Sequence, residues 1–286
     1  MITQIDTQVR QVSAKDKSII ANLTHFEVRV HRNLDWKTPL DWIGEKPFLI
    51  YEQNQRALAA LACPPDPPEI AWIRLFTAHS SISELKAWRA LWPVAYEQLG
   101  NMPEVTTAAA LPMQGWFRDL LEREGFVNSH NVVMLAWDKP NIPESIEHGD
   151  IIIRPLNFDD LSAVEAVDKA AFKPLWQNSI EALQIAYRQA SFATVAELNE
   201  KIVGYQISTA NTMGGHLARL AVMPQYQGKK IGYCLVQDLL NQFHHRGARR
   251  VTVNTQSDNH ASLKLYRKIG FTYTGEVYPV YEYPIE

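Results

Sequence analysis

The chain matches itself at a fixed spacing, and this duplication constrains its fold more than any other feature. Three pairs of segments agree in the same order: VRQVSAKD (9–16) with IRPLNFDD (153–160), WIRLF (72–76) with LARLA (217–221), and LLEREGF (120–126) with LYRKIGF (265–271). The offset is 144 or 145 residues each time. An internal repeat of domain length predicts two copies of one domain in tandem. We place the domains at residues 1–140 and 149–286, joined by a polar, proline-containing linker at 138–150.

Composition narrows the classes of partner and location. A formal net charge of −3 gives no basic surface for nucleic acid, and 46% hydrophobic residues are ordinary for a globular protein. The start of the chain, MITQIDTQVRQVSAKDK, lacks the apolar core of a signal peptide, and no uncharged stretch is long enough to span a bilayer. Two distant cysteines, Cys63 and Cys234, cannot supply a metal site. We therefore expect a cytoplasmic protein with no metal, no nucleic-acid partner and no membrane contact.

The second half alternates between patterns typical of strands and helices. Apolar residues spaced four apart, at Ile231, Leu235, Leu239 and Phe243, predict one buried helix face. Predicted strands are 151–154, 192–197, 202–209, 217–222, 249–255, 271–277 and 280–285; predicted helices are 159–171, 179–189, 229–245 and 259–268. Hairpins followed by helical connections indicate an α/β fold (an α+β mixed sheet) in which each domain has a mixed, mostly antiparallel sheet flanked by helices.

The segment QYQGKKIG, residues 225–232, lies between a predicted strand and a predicted helix. The first amides of such a helix lack partners, and together with the helix dipole they favour phosphate. Glycine at 228 and 232 would let a ligand reach the backbone, although turn formation and close helix packing are equally good reasons for the two glycines. Neither GxxxxGK[ST] nor GxGxxG is present here, so the ATP-binding loop and the dinucleotide fingerprint are excluded.

These residues resemble the first signature of the GNAT superfamily, the GCN5-related N-acetyltransferases. The pattern of Gln or Arg, two residues, Gly, one residue, then Gly or Ala falls on Gln227, Gly228, Lys229, Lys230, Ile231 and Gly232, with Lys230 in place of the usual central glycine. The resemblance implies that these six residues bind the diphosphate of acetyl-CoA. It also implies that the backbone of Leu220, Ala221 and Val222 binds the pantetheine arm.

The stretch DNHASLKLYRKIGF, residues 258–271, is similar to the second signature of the same superfamily. The resemblance assigns Asn259 to the pantetheine or phosphate region and makes Tyr266 the general acid at the thioester sulfur. Taken alone, Tyr266 would be a core aromatic residue. The implied function is transfer of an acetyl group from acetyl-CoA to a primary amine of a small molecule or peptide N-terminus, by direct attack. A non-catalytic acyl-CoA-binding or regulatory module is the alternative.

The general base and the acceptor stay open at this stage. His216, expected to be an exposed residue at a strand end, and Glu197 and Asn254 are the candidates near the predicted cleft. Four aromatic residues could line an acceptor pocket or close the core: Phe172, Trp176, Tyr278 and Tyr281.

The first half lacks the residues that the resemblance ties to chemistry. Ser83 and Ala87 stand at the positions of the two glycines, Gln114 at that of the asparagine, and Leu121 at that of the tyrosine. We therefore predict a degenerate GNAT-like domain in the first half and a catalytic one in the second, in a monomer or homodimer.

Overall fold

A computed structural model describes residues 7–139, 141–144, 149–212 and 214–286. The chain forms two compact units. The first comprises Met1–Ser129, described from residue 7, with Pro279–Glu286, and the second comprises His130–Tyr278. Part of the predicted linker, residues 140 and 145–148, lies outside the described residues. Within the described ranges, no helix has the length and apolar character needed to cross a bilayer.

The first unit contains seven strands and three helices from the first repeat: β1 (Thr7–Gln11), α1 (Lys17–His25), β2 (Arg29–Arg32), β3 (Phe48–Gln53), β4 (Arg56–Ala62), β5 (Ile70–Trp72), β6 (Leu75–Ala78), α2 (Glu84–Gly100), β7 (Thr107–Ala110) and α3 (Gly115–Arg123). One antiparallel sheet has the order β1-β3-β4-β6-β2, and β5 pairs with β7 in parallel. The core of the first unit is rich in aromatic residues, and Phe76, Trp88 and Phe117 are fully buried in it.

The second unit follows the same plan with β8 (Val127–Trp137), β9 (Ile152–Pro155), α4 (Leu161–Ala171), α5 (Ile180–Gln189), β10 (Phe192–Leu198), β11 (Lys201–Asn211), β12 (Gly214–Val222), α6 (Ile231–His245), β13 (Val251–Gln256), α7 (His260–Ile269) and β14 (Thr272–Pro284). The strand order is β9-β10-β11-β12-β13-β8-β14. The β12–β13 pair is parallel, and its neighbours β11–β12 and β13–β8 are antiparallel. This mixed sheet flanked by helices confirms the predicted fold class.

Each unit takes a strand from the other repeat. Residues 132–137 of β8 come from the end of the first repeat, yet they pair with β13 in the second unit. Residues 281–284 of β14 close the second repeat, and they pair with β7 in the first unit. The division at 1–140 and 149–286 describes the repeats in sequence and stays a prediction.

The prediction of two separate strands at 271–277 and 280–285 is wrong, because β14 continues without a break from Thr272 to Pro284.

Two equivalent ion-pair networks confirm the duplication. In the first unit the Arg10 guanidinium lies 2.9 Å from Asp16 and 2.6 Å from Glu52; in the second, Arg154 lies 2.7 Å from Asp160 and 2.8 Å from Glu197. Each aspartate also accepts a 2.8 Å hydrogen bond from the amide three residues earlier. Corresponding residues in the two repeats therefore hold the first strand against the hairpin in the same way.

Turn and cap residues in the sequence correctly predicted where most helices and strands of the second repeat begin and end. Asn199 and Glu200 have φ of 51° and 60°, which suits the tight turn predicted between β10 and β11. Asn259 caps α7, and Gly270 ends that helix in the left-handed conformation. The helix expected from Lys229 begins two residues later, at Ile231, because Lys230 is itself left-handed.

Candidate functional site

The parallel pair β12–β13 splits open part-way along its length. Gly215–Leu217 pair with Val251–Val253, and beyond this point both strands continue without pairing to each other. The split coincides with a bulge, because Ile207 of β11 faces Arg219 whereas Ser208 faces Leu217, which leaves Ala218 as an extra residue. The second half of β12 therefore has one edge bonded to β11 and one edge open. We call this gap the fork.

Backbone amides point into the fork from β12. The amide of Met223 donates to the carbonyl of Val203 on β11, at 2.9 Å. Because backbone groups alternate along an antiparallel strand, the amide of Ala221 also faces β11, and those of Leu220 and Val222 face the open edge. Of the three predicted backbone contacts, the geometry leaves Leu220 and Val222 free for a ligand and uses Ala221 within the sheet. The Gln227 side chain donates to the Val222 carbonyl at 3.0 Å and closes the loop onto this edge.

Helix α6 begins beside the fork with unpartnered amides. Its first backbone hydrogen bond runs from Cys234 to the carbonyl of Lys230, at 3.1 Å. Among the described residues, nothing accepts a hydrogen bond from the amides of residues 228–233, and no side chain caps the helix. The first turn has no acidic residue, and Lys229 and Lys230 are exposed. Free amides, the helix dipole and two ammonium groups together form a site suited to phosphate.

The two glycines of the loop have different physical reasons. Gly228 has φ of +79° with no atom near its missing side chain, so the backbone conformation alone explains it. A Cβ on Gly232 would lie 3.1 Å from Cδ2 of Leu265 on α7 and 3.9 Å from Cγ2 of Val222. Glycine at 232 therefore permits close packing of α6 against α7 beside the fork. Ile231 is buried and serves the core through its side chain.

Helix α7, which packs against α6, carries the second signature. The Asn259 oxygen Oδ1 accepts a 3.1 Å hydrogen bond from the amide of Ser262, so the side chain is a helix cap in this chain. Tyr266 is 4% exposed and lies in the core cluster with Val253, with its ring 5.6 Å from that of Phe271. Burial raises the pKa of the Tyr266 phenol above its ordinary value, so the hydroxyl is protonated at neutral pH.

The first unit closes both parts of the equivalent site with its own chain. Strand β2 pairs with β6 along the edge that corresponds to the open edge of β12. Helix α2 is capped, because the Ser83 hydroxyl accepts a 3.2 Å hydrogen bond from the amide of Lys86, and Glu84 lies in its first turn. An extended segment of protein thus already satisfies the edge that stays open in the second unit.

A buried ion pair that the sequence analysis did not predict links α4 to β12. Asp168 of α4 is fully buried and accepts two 2.8 Å hydrogen bonds from the Arg219 guanidinium, one of 2.9 Å from the amide of Asn178, and one from the Tyr205 hydroxyl. Arg219 also donates to the carbonyl of Trp176 and lies over the ring of Phe172. The Arg219 guanidinium therefore holds the 172–178 loop against β12. The repeat offered one signal, since arginine stands at the same place in WIRLF and LARLA.

The structure sorts the candidates for the base and the acceptor pocket. Glu197 is held by Arg154, as Glu52 is by Arg10, so its carboxylate has a structural role. The exposed position expected for His216 is wrong: this residue lies within β12, where Nδ1 is 2.8 Å from the Thr252 hydroxyl, and burial lowers its pKa. Phe172 and Trp176 lie on the 172–178 loop.

The two tyrosines expected at the acceptor pocket have other surroundings. Tyr281 packs in the core of the first unit and bonds to Glu122, so its expected place with Phe172 and Trp176 is not supported. The Tyr278 hydroxyl donates to Glu276 at 3.0 Å.

Comparison with known proteins assigns the site to a family. Residues 161–271, which include the fork, α6 and α7, match the model of the acetyltransferase (GNAT) family. The match is to this segment of the second repeat, which is similar to GNAT acetyltransferases. An N-alpha-acetyltransferase 30 from Schizosaccharomyces pombe is 30% identical over 95 residues, which are 32% of this chain and 63% of that protein. The [ribosomal protein bS18]-alanine N-acetyltransferase of Escherichia coli K12 is 25% identical over 119 residues, or 42% of this chain and 79% of that enzyme.

The GNAT fold extends over both units. A tandem GNAT protein from the clavulanic acid biosynthesis pathway covers 99% of this chain and 99% of its own, with a TM-score of 0.61 and 14% identity. At that identity the likeness concerns the fold alone. The family match falls on the second repeat, and together with the relatives named N-acetyltransferases it makes acetyl transfer the activity to test.

Proposed function

We propose that the chain is an acetyl-CoA-dependent N-acetyltransferase that uses the fork of its second unit. One observation carries this proposal: the second unit leaves open both a strand edge and a helix N-terminus that the first unit closes with β2 and Ser83. A strand edge suits the amide groups of a pantetheine arm, and unpartnered helix amides suit a diphosphate. The two occur side by side in one crevice.

The residues present fit this cosubstrate in composition. The amides of Leu220 and Val222 would bind the pantetheine arm, and those of residues 228–233 would bind the diphosphate, with Gln227 holding the loop in place. Lys230 keeps its backbone amide in the left-handed conformation, so the lysine in place of glycine does not remove a donor. Asn259 would contribute mainly by fixing the start of α7.

The proposed reaction is a direct attack that needs few groups from the protein. The neutral amine attacks the thioester carbonyl and forms the C–N bond, and its nitrogen loses one proton to water. The C–S bond breaks, and the sulfur leaves as a thiolate that takes a proton. Tyr266 is the donor we assign, since a protonated phenol can deliver a proton to sulfur and recover it from water. An amide at the open edge of β12 would polarise the carbonyl. We further propose a small-molecule or peptide N-terminal amine as acceptor, and a cytoplasmic monomer or homodimer.

A non-catalytic acyl-CoA-binding module is the competing function. Two observations favour it: Tyr266 lies within the core, and Glu197, the carboxylate expected near the cleft, is paired with Arg154. Calorimetry with CoA tests binding at the fork and the helix N-terminus. Release of free thiol from acetyl-CoA with a panel of amines tests turnover. Tyr266→Phe keeps the ring packing, so we expect kcat to fall about a hundredfold with CoA affinity unchanged.

Tyr281→Phe is the matched control, because it removes a tyrosine hydroxyl from the first unit. We expect it to leave kcat unchanged. Binding of CoA without thiol release from any amine would favour the non-catalytic module, and no binding would reject both functions.

A further inference from the structure

A row of polar side chains marks one face of the sheet at the fork. His216 of β12 pairs with Thr252 of β13, and their side chains share a 2.8 Å hydrogen bond. Asn254 lies two residues beyond Thr252 and therefore on the same face. We call His216, Thr252 and Asn254 the polar row.

The polar row lies on the face of β12 and β13 that is turned away from α6 and α7. Leu217, Val251 and Val253 point into the core cluster of those helices, so His216, Thr252 and Asn254 point the other way. In the first unit the corresponding strands are β5 and β7, where Ala71, Ala108 and Ala110 face the core cluster of α2 and α3. Trp72 and Ala109 pair with each other on the opposite face, the face that matches the polar row. The fold therefore does not require histidine and threonine at the paired positions.

Asn254 is the member of the row with an unsatisfied atom. Its strand leaves β12 after Val253, so Asn254 is the first residue of β13 within the fork. Across the described part of the chain, no donor lies within hydrogen-bond distance of its buried side-chain oxygen Oδ1. A buried carbonyl oxygen without a donor costs about 1–3 kcal/mol, so a native chain that keeps one calls for an explanation.

The face that carries Asn254 is the face covered by the 172–178 loop. Asn254 pairs with Met134 of β8, and His130 lies four residues before Met134 on the same strand face. The His130 ring packs against that of Trp176 at 5.9 Å. The neighbouring residue Val253 points the other way, into the cluster that contains Tyr266. The fork is thus the opening through which groups on these two faces can meet.

We propose that Asn254 binds the acceptor amine, accepting a hydrogen bond from its N–H group through Oδ1 and directing it toward the fork. This inference rests on the proposed function and assigns a residue to the acceptor side of the same site. An amide oxygen at neutral pH accepts and does not donate, so it selects a neutral or cationic nitrogen that carries hydrogen. The acceptor site is therefore polar at its deepest point, beneath the aromatic side chains of the loop.

Kinetics of Asn254→Ala tests the proposal, with a peptide bearing a free N-terminal alanine and with D-glucosamine as probes. We expect KM for whichever amine is turned over to rise about tenfold, the loss of one hydrogen bond of about 1.4 kcal/mol, with the Kd of CoA within twofold of the wild type. Thermal stability should stay equal or rise, because the buried oxygen without a donor is gone. Asn254→Asp keeps an acceptor oxygen and should keep KM within about threefold.

Gln206→Ala is the matched control. Gln206 also carries a buried amide oxygen without a donor, but it pairs with Leu220 and lies on the face covered by α6. We expect its amine KM to stay unchanged.

The outcomes separate this inference from the proposed function. An active wild type with an unchanged amine KM in Asn254→Ala would overturn the inference alone. The same holds if Asn254→Ala loses stability and weakens CoA and amine binding together, since that result indicates a structural residue. A wild type that releases no thiol with either amine would overturn both.

Discussion

The strand that closes the first unit contains a buried histidine whose titration can be measured. His31 of β2 is 1% exposed, stacks on Phe117 with ring centroids 4.1 Å apart, and donates from Nε2 to the carbonyl of Ile73 at 3.0 Å. Burial lowers the pKa of this imidazole to about 4, and the hydrogen bond to Ile73 opposes the shift only in part. The neutral ring is therefore the form that fits the folded chain.

The sign and size of the effect follow from linkage. An unfolded histidine titrates near 6.5, so below that pH the unfolded chain binds a proton that the folded chain rejects until about pH 4. The contribution is complete above pH 6.5 and is lost as the pH falls. At about 1.4 kcal/mol per pH unit, we expect the first unit to lose about 2 kcal/mol between pH 7 and pH 5 from this residue.

Urea unfolding at pH 7, 6 and 5 measures this loss, with tryptophan fluorescence as the signal. The informative quantity is the difference in pH slope between the wild type and His31→Gln, because carboxylates contribute equally to both. His31→Gln should be less stable at pH 7 but lose about 2 kcal/mol less than the wild type on going to pH 5. Equal slopes would show that His31 is protonated without cost in the folded chain, and the reasoning on β2 would then be wrong.

Four further substitutions, one of them a control, test the fork and its support. Asp168→Asn should destabilise the second unit by about 3–5 kcal/mol, since it leaves a buried guanidinium without its counter-charge. Glu165→Gln is its control and should cost less than about 1 kcal/mol, because Glu165 is only partly buried and pairs with an exposed lysine. Hydrogen exchange of the β11 and β12 amides distinguishes the two effects. Gly232→Val should weaken CoA binding at least tenfold by calorimetry, because its side chain would enter the 3.1 Å gap to Leu265. Lys230→Gly should raise the free energy of unfolding by up to about 1 kcal/mol and leave CoA affinity within threefold, as measured by urea unfolding and calorimetry, because it relieves a left-handed lysine.

Local signals in the sequence predicted much of the second unit. The hairpin turn at Asn199, the cap at Asn259 and the helix end at Gly270 each depend on one or two residues whose backbone preferences are strong. The duplication was equally visible, since it rests on matched segments and their common offset. These features do not depend on distant parts of the chain.

Features that depend on contacts between distant residues could not be predicted in this way. Nothing in the sequence RVHR shows that β2 pairs with β6, because a short strand has no partner until the sheet forms. The ion pair of Arg219 with Asp168 joins residues 51 positions apart. Lys230 marks another limit, since its left-handed conformation follows from the closed loop and opposes the preference of lysine.

The exchange of strands gives a physical reason for keeping a repeat whose strand edge and helix N-terminus are closed. In the second unit, residues 132–137 of β8 pair with all of β13, and Leu135 and Trp137 are buried beside Val253 and Phe271. Without them β13 would become an exposed edge, and the core behind Tyr266 would lose one wall. The sequence from the first repeat is therefore part of the unit that carries the fork, and selection on the site is enough to retain that strand. The phosphate loop of the first repeat is under no such constraint, since β2 and Ser83 already satisfy the groups that a ligand would have bound.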